Sequence, residues 1–585
     1  MAYPVKVNVL DGNLGLQPGS NQNTILVMGC CLGNNAGGGV ANTIDNLGDP
    51  VMAARTLVGG ELLEMVTYVL QASPGSLVQI MPLPATTQGG IGAVAKVGTG
   101  ALAITATPGP SAAITMTCTV PGSLNVAQFT FGVTTGGVTV TSPPLLSKAA
   151  WATAGVQVPG TFATVKPIAG SYAAGDTYTI SPLGVASGPV APAPAVPTFA
   201  ASPVDSYRVR ITITLGGVVG VSQFTYSLDN GGSTSAVITS AATYAIPGTG
   251  IVLGFTGVAV KGDYYTFNTA PPTFTVADFT AACALLSGPL VNSFRSSLIG
   301  VVGAVASAAD WATLVAAGET QALAFNALNI YPRFLIGGPT VGTVLPNNGD
   351  VIVDSADTDS VILAARAGMS APHVLAAAGD GIMTGAFSGL VFRRNAVWGA
   401  IGRSVANESS EDLGAVELGG LAGFTSCVRD DFAFGLSFYN AGITSLQTYG
   451  AGSAVFINRG FTATIATSDY YPFTNARVID QASGIAVVNA RPYTLARIPT
   501  QTRNGIAGTI REDYAIKIES KMTTAEQAGL PVAPLPLGNA VAVRCQVTRT
   551  NNIYSTGQLI FNVAVQPWGY PTQVIVNIGM TLQAA

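Results

Sequence analysis

The feature that most constrains this chain is an interruption. From Thr24 to about residue 90 the sequence alternates strand and helix patterns, and it resumes that alternation only at Thr275. The first stretch holds a continuous apolar run from Thr24 to Cys30, a Gly-rich loop from Gly33 to Gly39, helical apolar spacing from Gly60 to Gln71, and the strand pattern Val78-Gln79-Ile80-Met81. Strand, helix and strand in that order predict an α/β unit. The second stretch predicts a helix from Val276 through Leu285, a buried strand at Val301–Val305, a helix over 310–328 and a strand at Phe334–Ile336. A helix from Asp359 to Ala367 then leads to a strand near Val374. The expected architecture is one α/β (α+β) core in two pieces, 24–90 and 273–469, interrupted by something of another class.

The interrupting segment has almost no charge. Between Glu64 and Lys148 the only charged residue is Lys96. The segment is built of Thr, Val, Ala, Gly and Pro, and it contains an internal repeat. Ile114-Thr115-Met116-Thr117, Gln128-Phe129-Thr130-Phe131 and Gly175-Asp176-Thr177-Tyr178 are answered by Ile211-Thr212-Ile213-Thr214, Gln223-Phe224-Thr225-Tyr226 and Gly262-Asp263-Tyr264-Tyr265. Two inserted all-β, sandwich-like modules follow, over 91–198 and 199–272, with the Pro/Ala stretch Val190 to Pro197 as the linker between them. Each Gly-Asp pair is expected to turn the chain into a closing strand, since Asp stabilises turns and β-formers follow it.

Both ends read as extended strand arms. Val5, Val7 and Val9 alternate with polar residues in an N-terminal arm, 1–23, ahead of a Gly/Asn/Gln/Pro/Ser-rich stretch that cannot pack a core. Val574, Val576 and Ile578 alternate likewise in a C-terminal arm, 573–585. An unpaired apolar edge strand is an aggregation hazard in a monomer, so each arm is expected to join a sheet in another subunit. Residues 470–572 form a separate domain, with helices at about 476–489 and 510–528 and a capping box at Thr509 and Glu512 for the second.

Charged residues make up 9% of the 585-residue chain, against about 25% in ordinary soluble domains. Such a surface points to extensive contact with other protein, the alternative being an unusually Ala/Gly-rich secreted or hardy protein. A net charge of −4 leaves no basic face for nucleic acid. The most apolar stretch, Leu298 to Ala309, is too short to span a bilayer, and the opening residues read as a strand rather than a secretion signal. The six cysteines, Cys30, Cys31, Cys118, Cys283, Cys427 and Cys545, lack metal-ligand spacing and read as reduced and mostly buried. His373 is the sole histidine, which removes most His-dependent catalysis. Asp354, Asp357 and Asp359 read as the acidic start of a helix rather than a metal cluster. Gly379-Asp380-Gly381 reads as a tight turn into a helix, not a dinucleotide loop, and no Gly-Lys-Ser/Thr motif exists. The expectation is a chain with no catalytic residues, cofactor or metal: not an enzyme.

Several of these parts, taken in order, resemble the contractile tail sheath proteins of myophages and contractile injection systems. The opening resembles that family's N-terminal arm through Pro4-Val5-Lys6-Val7-Asn8-Val9, Leu14-Gly15-Leu16-Gln17-Pro18-Gly19-Ser20 and the strand at Ile25. Gly450 to Gly460, including Val455-Phe456-Ile457-Asn458-Arg459, resembles the segment before the sheath C-terminal domain. Ala476-Arg477-Val478-Ile479-Asp480 and Pro567-Trp568-Gly569-Tyr570-Pro571 fit that domain. The resemblance covers about 1–90 and 275–585 and implies a subunit that polymerises as stacked hexameric rings around a tail tube. It further implies contraction to drive the tube through the host envelope, with terminal arms exchanged between subunits. Baseplate and tail terminator proteins are the implied partners. The implied setting is the virion tail, assembled in the host bacterial cytoplasm. The two β modules would then be outer decoration. Arg511, Lys517 and Lys521 belong to a C-terminal stretch with nine Lys/Arg and five Asp/Glu; they are either tube contacts or a solvated helix face. Other readings are a different tail, baseplate or capsid component, a β-rich adhesin or carbohydrate-binding protein, or a hydrolase whose site the sequence hides.

Overall fold

The computed structural model describes residues 24–33, 41–86, 203–303, 307–339, 359–450, 454–530 and 539–569, most of the strands between 89 and 200, and strands 345–347 and 350–352. The arm residues Val5, Val7, Val9, Val574, Val576 and Ile578 lie outside the described residues, as does the linker 190–197. Two compact units divide the chain, 23–476 and a second one whose described part begins at Arg477.

The first unit is built on a seven-stranded sheet. Its five central strands, in spatial order Val78–Pro82, Ile25–Gly29, Leu298–Val301, Arg333–Gly337 and Ala371–Ala377, are all parallel. Short antiparallel strands at Asp45–Leu47 and Thr462–Ala463 close the edges. Both faces are covered, which is why these strands read as unbroken apolar runs. Ile25 and Val27 pack towards the helices Glu61–Ala72 and Ala396–Ala406, whereas Leu26 and Met28 pack towards Val276–Leu286 and Ala308–Asn326. Thr275 and Asp278 cap the helix Val276–Leu286 reciprocally. The strand Ile25–Gly29 pairs directly with Leu298–Val301, Leu26 opposite Ile299, so neighbours in the sheet are separated by the whole interrupting segment.

That segment holds two β modules, and their relation differs from the expected succession. Strands Gly90–Ile91 and Ala95–Val97 pair with Tyr264–Ala270, and Ala103–Pro108 pairs with Ile251–Thr256. Strands Ala95–Val97 and Ala103–Pro108, which lie within the 91–198 assigned by sequence to the first module, therefore pair with the second. The described strands of the first module run from Ala113–Val120 to Thr198–Ala200, which pairs with Thr164–Lys166. One module is thus nested inside the other. Each has a six-stranded and a three-stranded sheet around its own apolar cluster.

The hydrogen bonds establish the duplication. Strand Ala113–Val120 lies between Gln128–Thr135 and Thr177–Ile180, and Arg208–Leu215 lies between Gln223–Ser227 and Tyr264–Ala270. Cys118 N–H donates to the Asp176 carbonyl and Gly175 N–H to the Cys118 carbonyl, both at 2.8 Å. Ile213 and Asp263 with Gly262 repeat this at 2.9 Å. Both glycines have positive φ, 90° and 95°, so the Gly-Asp pairs are turns. Tyr178 faces Met116, and Tyr265 faces Ile211. The true match is therefore Met116 with Ile211 and Cys118 with Ile213, two residues from the alignment of Ile114 with Ile211. The duplication extends to side chains: Ser142 Oγ accepts from Phe131 N–H and Ser235 Oγ from Tyr226 N–H, each at 3.0 Å.

The second module is fastened to the core. Arg394, 3% exposed on strand Val391–Asn395, donates through both terminal nitrogens to the Asp205 carboxylate at 2.9 Å and lies 3.6 Å from Glu61. Phe392 beside it joins the module's apolar cluster. Asp380 opens a strand, Asp380–Thr384, rather than a turn into a helix, because its buried carboxylate pairs with Arg393 across the hairpin.

In the second unit a helix ending at Ala490 is followed by the hairpin Thr500–Arg503/Ile506–Ile510, the helix Glu512–Gly529 and the hairpin Ala542–Val547/Phe561–Gln566. Ala515, Ile518, Met522 and Glu526 form the buried stripe of its central helix. The expected capping box is absent. Thr509 is held in the preceding strand and donates to the Gln501 carbonyl at 2.9 Å, while Glu512 turns to Arg503 and Arg549.

Candidate assembly site

The last hairpin, Ala542–Val547/Phe561–Gln566, is a two-stranded sheet with two edges that differ. In an antiparallel ladder alternate residues turn their N–H and C=O groups away from the partner strand. Thr548 N–H donates to the Ile560 carbonyl at 3.0 Å, which sets the even-numbered residues as the bonded set and turns the odd-numbered ones outward. On one edge, Cys545 N–H donates to Thr523 Oγ1 at 3.1 Å and Val547 N–H to Glu519 Oε1 at 2.7 Å. Side chains of the helix Glu512–Gly529 therefore close that edge. On the other, the outward backbone groups of Phe561, Val563 and Val565 meet no partner among the described residues, although their side chains are half-buried in the core. Among the described residues the hairpin has one open edge, the kind of edge that accepts a further strand.

The charges of this unit are unequally used. Arg549 bridges Glu512 and Glu519 at 3.0 and 2.9 Å, Arg503 joins Glu512 at 2.9 Å, and Arg511 grips Asp513 at 2.6 Å through two nitrogens. Hydrogen bonds from Arg549 hold the Glu512 and Glu519 carboxyls below their usual range. Arg491, Arg497, Lys517, Lys521 and Arg544 are exposed and form no ion pair among the described residues. Lys517 and Lys521 lie one turn apart on the outer face of the central helix, Lys521 also 5.8 Å over the Tyr493 ring. The structure thus separates the three basic residues singled out by sequence: Arg511 is engaged locally, whereas Lys517 and Lys521 face outward.

Glu526 is the unit's chemical anomaly. It is fully buried and neither carboxyl oxygen has a hydrogen-bond partner. Burial pushes its pKa up to about 8, so the group is largely neutral at pH 7.

In the first unit, much of the scarce charge is buried. Arg333, Arg366, Arg394, Arg403 and Arg429 are all below a tenth exposed. Arg366 donates to the carbonyls of Gly442, Thr462 and Thr464, and Arg403 to those of Leu413, Ala415 and Gly419. Arg429 pairs with Asp359 and Asp431, which gives Asp359 a structural partner. The surface is therefore poorer in charge than the composition alone indicates. His373 lies within a strand, its ring nitrogens placed against Glu319 at 2.8 Å and Asn326 at 3.1 Å. Among the described residues no group of His, Cys, Asp and Glu could hold a metal ion, and no helix is long and apolar enough to cross a membrane. Just past the carboxyl end of the strand Ile25–Gly29, Cys30 packs with Ala85, Val204 and Phe274 in a small apolar cluster.

No protein-family profile matches the sequence, and no curated protein matches it. Among solved structures, the chain is similar to the sheath tail protein from Desulfitobacterium hafniense, at 11% identity and a TM-score of 0.40, over 96% of this chain and 100% of that one. It is also similar to a chain of the anti-feeding prophage baseplate, at 11% identity and a TM-score of 0.33, over 54% of this chain and 76% of that one.

Proposed function

We propose that this protein is the structural subunit of a contractile tail sheath and not an enzyme. It polymerises as stacked hexameric rings around a tail tube and contracts to drive that tube through a host envelope. The observation that carries this reading is the asymmetric hairpin, with one edge closed by Thr523 and Glu519 and one that, among the described residues, is open along Phe561, Val563 and Val565. A terminal arm from another subunit, carrying Val5, Val7 and Val9 or Val574, Val576 and Ile578, completes the open edge with main-chain hydrogen bonds. Such a link survives rotation of one subunit body against the next, as contraction requires. Lys517 and Lys521 supply weak, breakable contacts to the tube. The nested β modules form outer decoration. Baseplate and tail terminator proteins bind the ends of the cylinder in a virion assembled in the bacterial cytoplasm.

Electron microscopy of the purified chain tests the reading: hollow striated cylinders are expected. Removing residues 1–12 or 573–585 should yield a folded subunit that makes no long cylinders. Val563→Pro should act alike, since it deletes an outward donor without touching the ladder. If both truncated chains polymerise and contract like the intact one, strand exchange is wrong for this protein.

A further inference from the structure

The duplicated modules provide an internal control for what each surface position needs. At the end of the second module formed by its 215–222 and 257–263 turns, Val218 pairs with Val258 across a two-stranded ribbon, and the neighbouring Val260 and Val221 complete an apolar tip. These valines are 54%, 47%, 42% and 57% exposed, in that order. The first module builds the same ribbon from Gly122–Ser123 and Ser171–Tyr172. Gly122 and Gly217 occupy the same place, with φ of 146° and 142°. There the residues matching Val218, Val258 and Val260 are Ser123, Ser171 and Ala173, while Val221 keeps its valine as Val126, 56% exposed. The fold thus accepts Ser, Ser and Ala at this tip, so three exposed valines are not needed to make the ribbon.

The surroundings define the chemistry of the partner. From Ile211 to Val260 the only charged residue is Asp229, which is buried, and the turn that follows carries Lys261 and the buried Asp263. An anionic lipid surface or a nucleic acid needs several cations, and an acidic or basic peptide needs complementary charge; the tip offers neither. It fits an uncharged, partly apolar protein surface. A chain with 9% charged residues, several of them buried, carries such surface on itself.

We infer that the valine tip of the second module is a contact with a second copy of this chain, whereas the matching tip of the first module is solvent-facing. This rests on the polymer reading only for the identity of the partner, and involves neither the terminal arms nor the C-terminal hairpin. The test replaces the valines by the residues the first module carries: Val218→Ser, Val258→Ser and Val260→Ala together, in the full-length chain. Hydrogen exchange over 208–270 checks that the module stays folded, and sedimentation velocity over a concentration series reads association. The expected result is at least a tenfold rise in the concentration at which the chain self-associates. The converse variant, Ser123→Val with Ser171→Val and Ala173→Val, should lower that concentration or cause lateral clumping. Unchanged sedimentation of the first variant overturns the inference, as does a tip that binds neutral vesicles while self-association stays the same. Loss of cylinders in the intact chain would overturn the sheath reading instead, and leaves the sedimentation comparison intact.

Discussion

The two β modules share strand order, register, Gly-Asp turns and even serine-to-backbone bonds, yet they are tied to the molecule differently. The second draws strands 90–97 and 103–108 from one side of its partner and 203–270 from the other, and is locked to the core by Asp205 and Arg394. The first begins and ends within its host module, between Pro108 and residue 203. Identical internal wiring therefore does not mean equivalent standing. The turns and inner faces set what a module is, and the incoming strands and one buried ion pair set whether the rest of the chain depends on it.

Excision gives the harshest comparison. Replacing residues 111–201 by a short Gly/Ser bridge should leave a folded chain in which protection of 208–270 from hydrogen exchange is retained. Removing 203–270 alone strands the partners of 90–108 and should give an insoluble product. Equal outcomes would break the nested arrangement.

Next in size is the clamp. Asp205→Ala leaves a buried guanidinium without its main partner, which costs about 3–5 kcal/mol in such settings. Chemical denaturation followed over the second module should show that loss, with the first module little affected. Adding Arg394→Met should recover most of it.

A smaller effect contrasts the modules with the C-terminal unit, where a buried acid has no such partner. Glu526 has its pKa raised to about 8 against an ordinary value of 4.5. The folded state therefore holds a proton that the unfolded chain releases between those values. Stability should fall as pH rises through that window, by at most about 1.4 kcal/mol per pH unit, and level off above it. Glu526→Gln should flatten the slope, as read from urea midpoints at pH 5 to 8; an unchanged slope would place the proton elsewhere.

The smallest effect concerns matched tyrosines. Burial pushes both Tyr178 and Tyr265 up to about 12, so spectrophotometric titration should find the two phenols ionising late. The Tyr178 hydroxyl is buried without a partner, so Tyr178→Phe should change stability at neutral pH by less than about 1 kcal/mol. It should also remove part of the first module's loss of stability above pH 10.

Sequence carried the α/β alternation because strands buried on both faces, such as Ile25–Gly29, are continuous apolar runs. It carried the duplication because Gln-Phe-Thr and Gly-Asp are distinctive. It misplaced the register because Thr recurs every second residue from Thr115 to Thr119, so a slip of two leaves the pattern intact; only the Cys118 and Ile213 bonds decide it. Strands 95–97 and 103–108 look alike for either module, so the nesting was hidden. The Thr509–Glu512 box failed because Arg549, 37 residues away in sequence, competes for the carboxylate. The open edge depends on which helix side chains reach the other one, which no local pattern records.

The buried arginines carry a consequence for endurance. Guanidinium does not lose its proton in proteins, and salt scarcely screens charges held away from water. Arg366 and Arg403 each pin three carbonyls where loops meet the core. These joints should hold alike in acid, brine or dilute neutral buffer, so a change of medium would act on the exposed ion pairs, such as Arg511 with Asp513, long before it loosened the loops around the core.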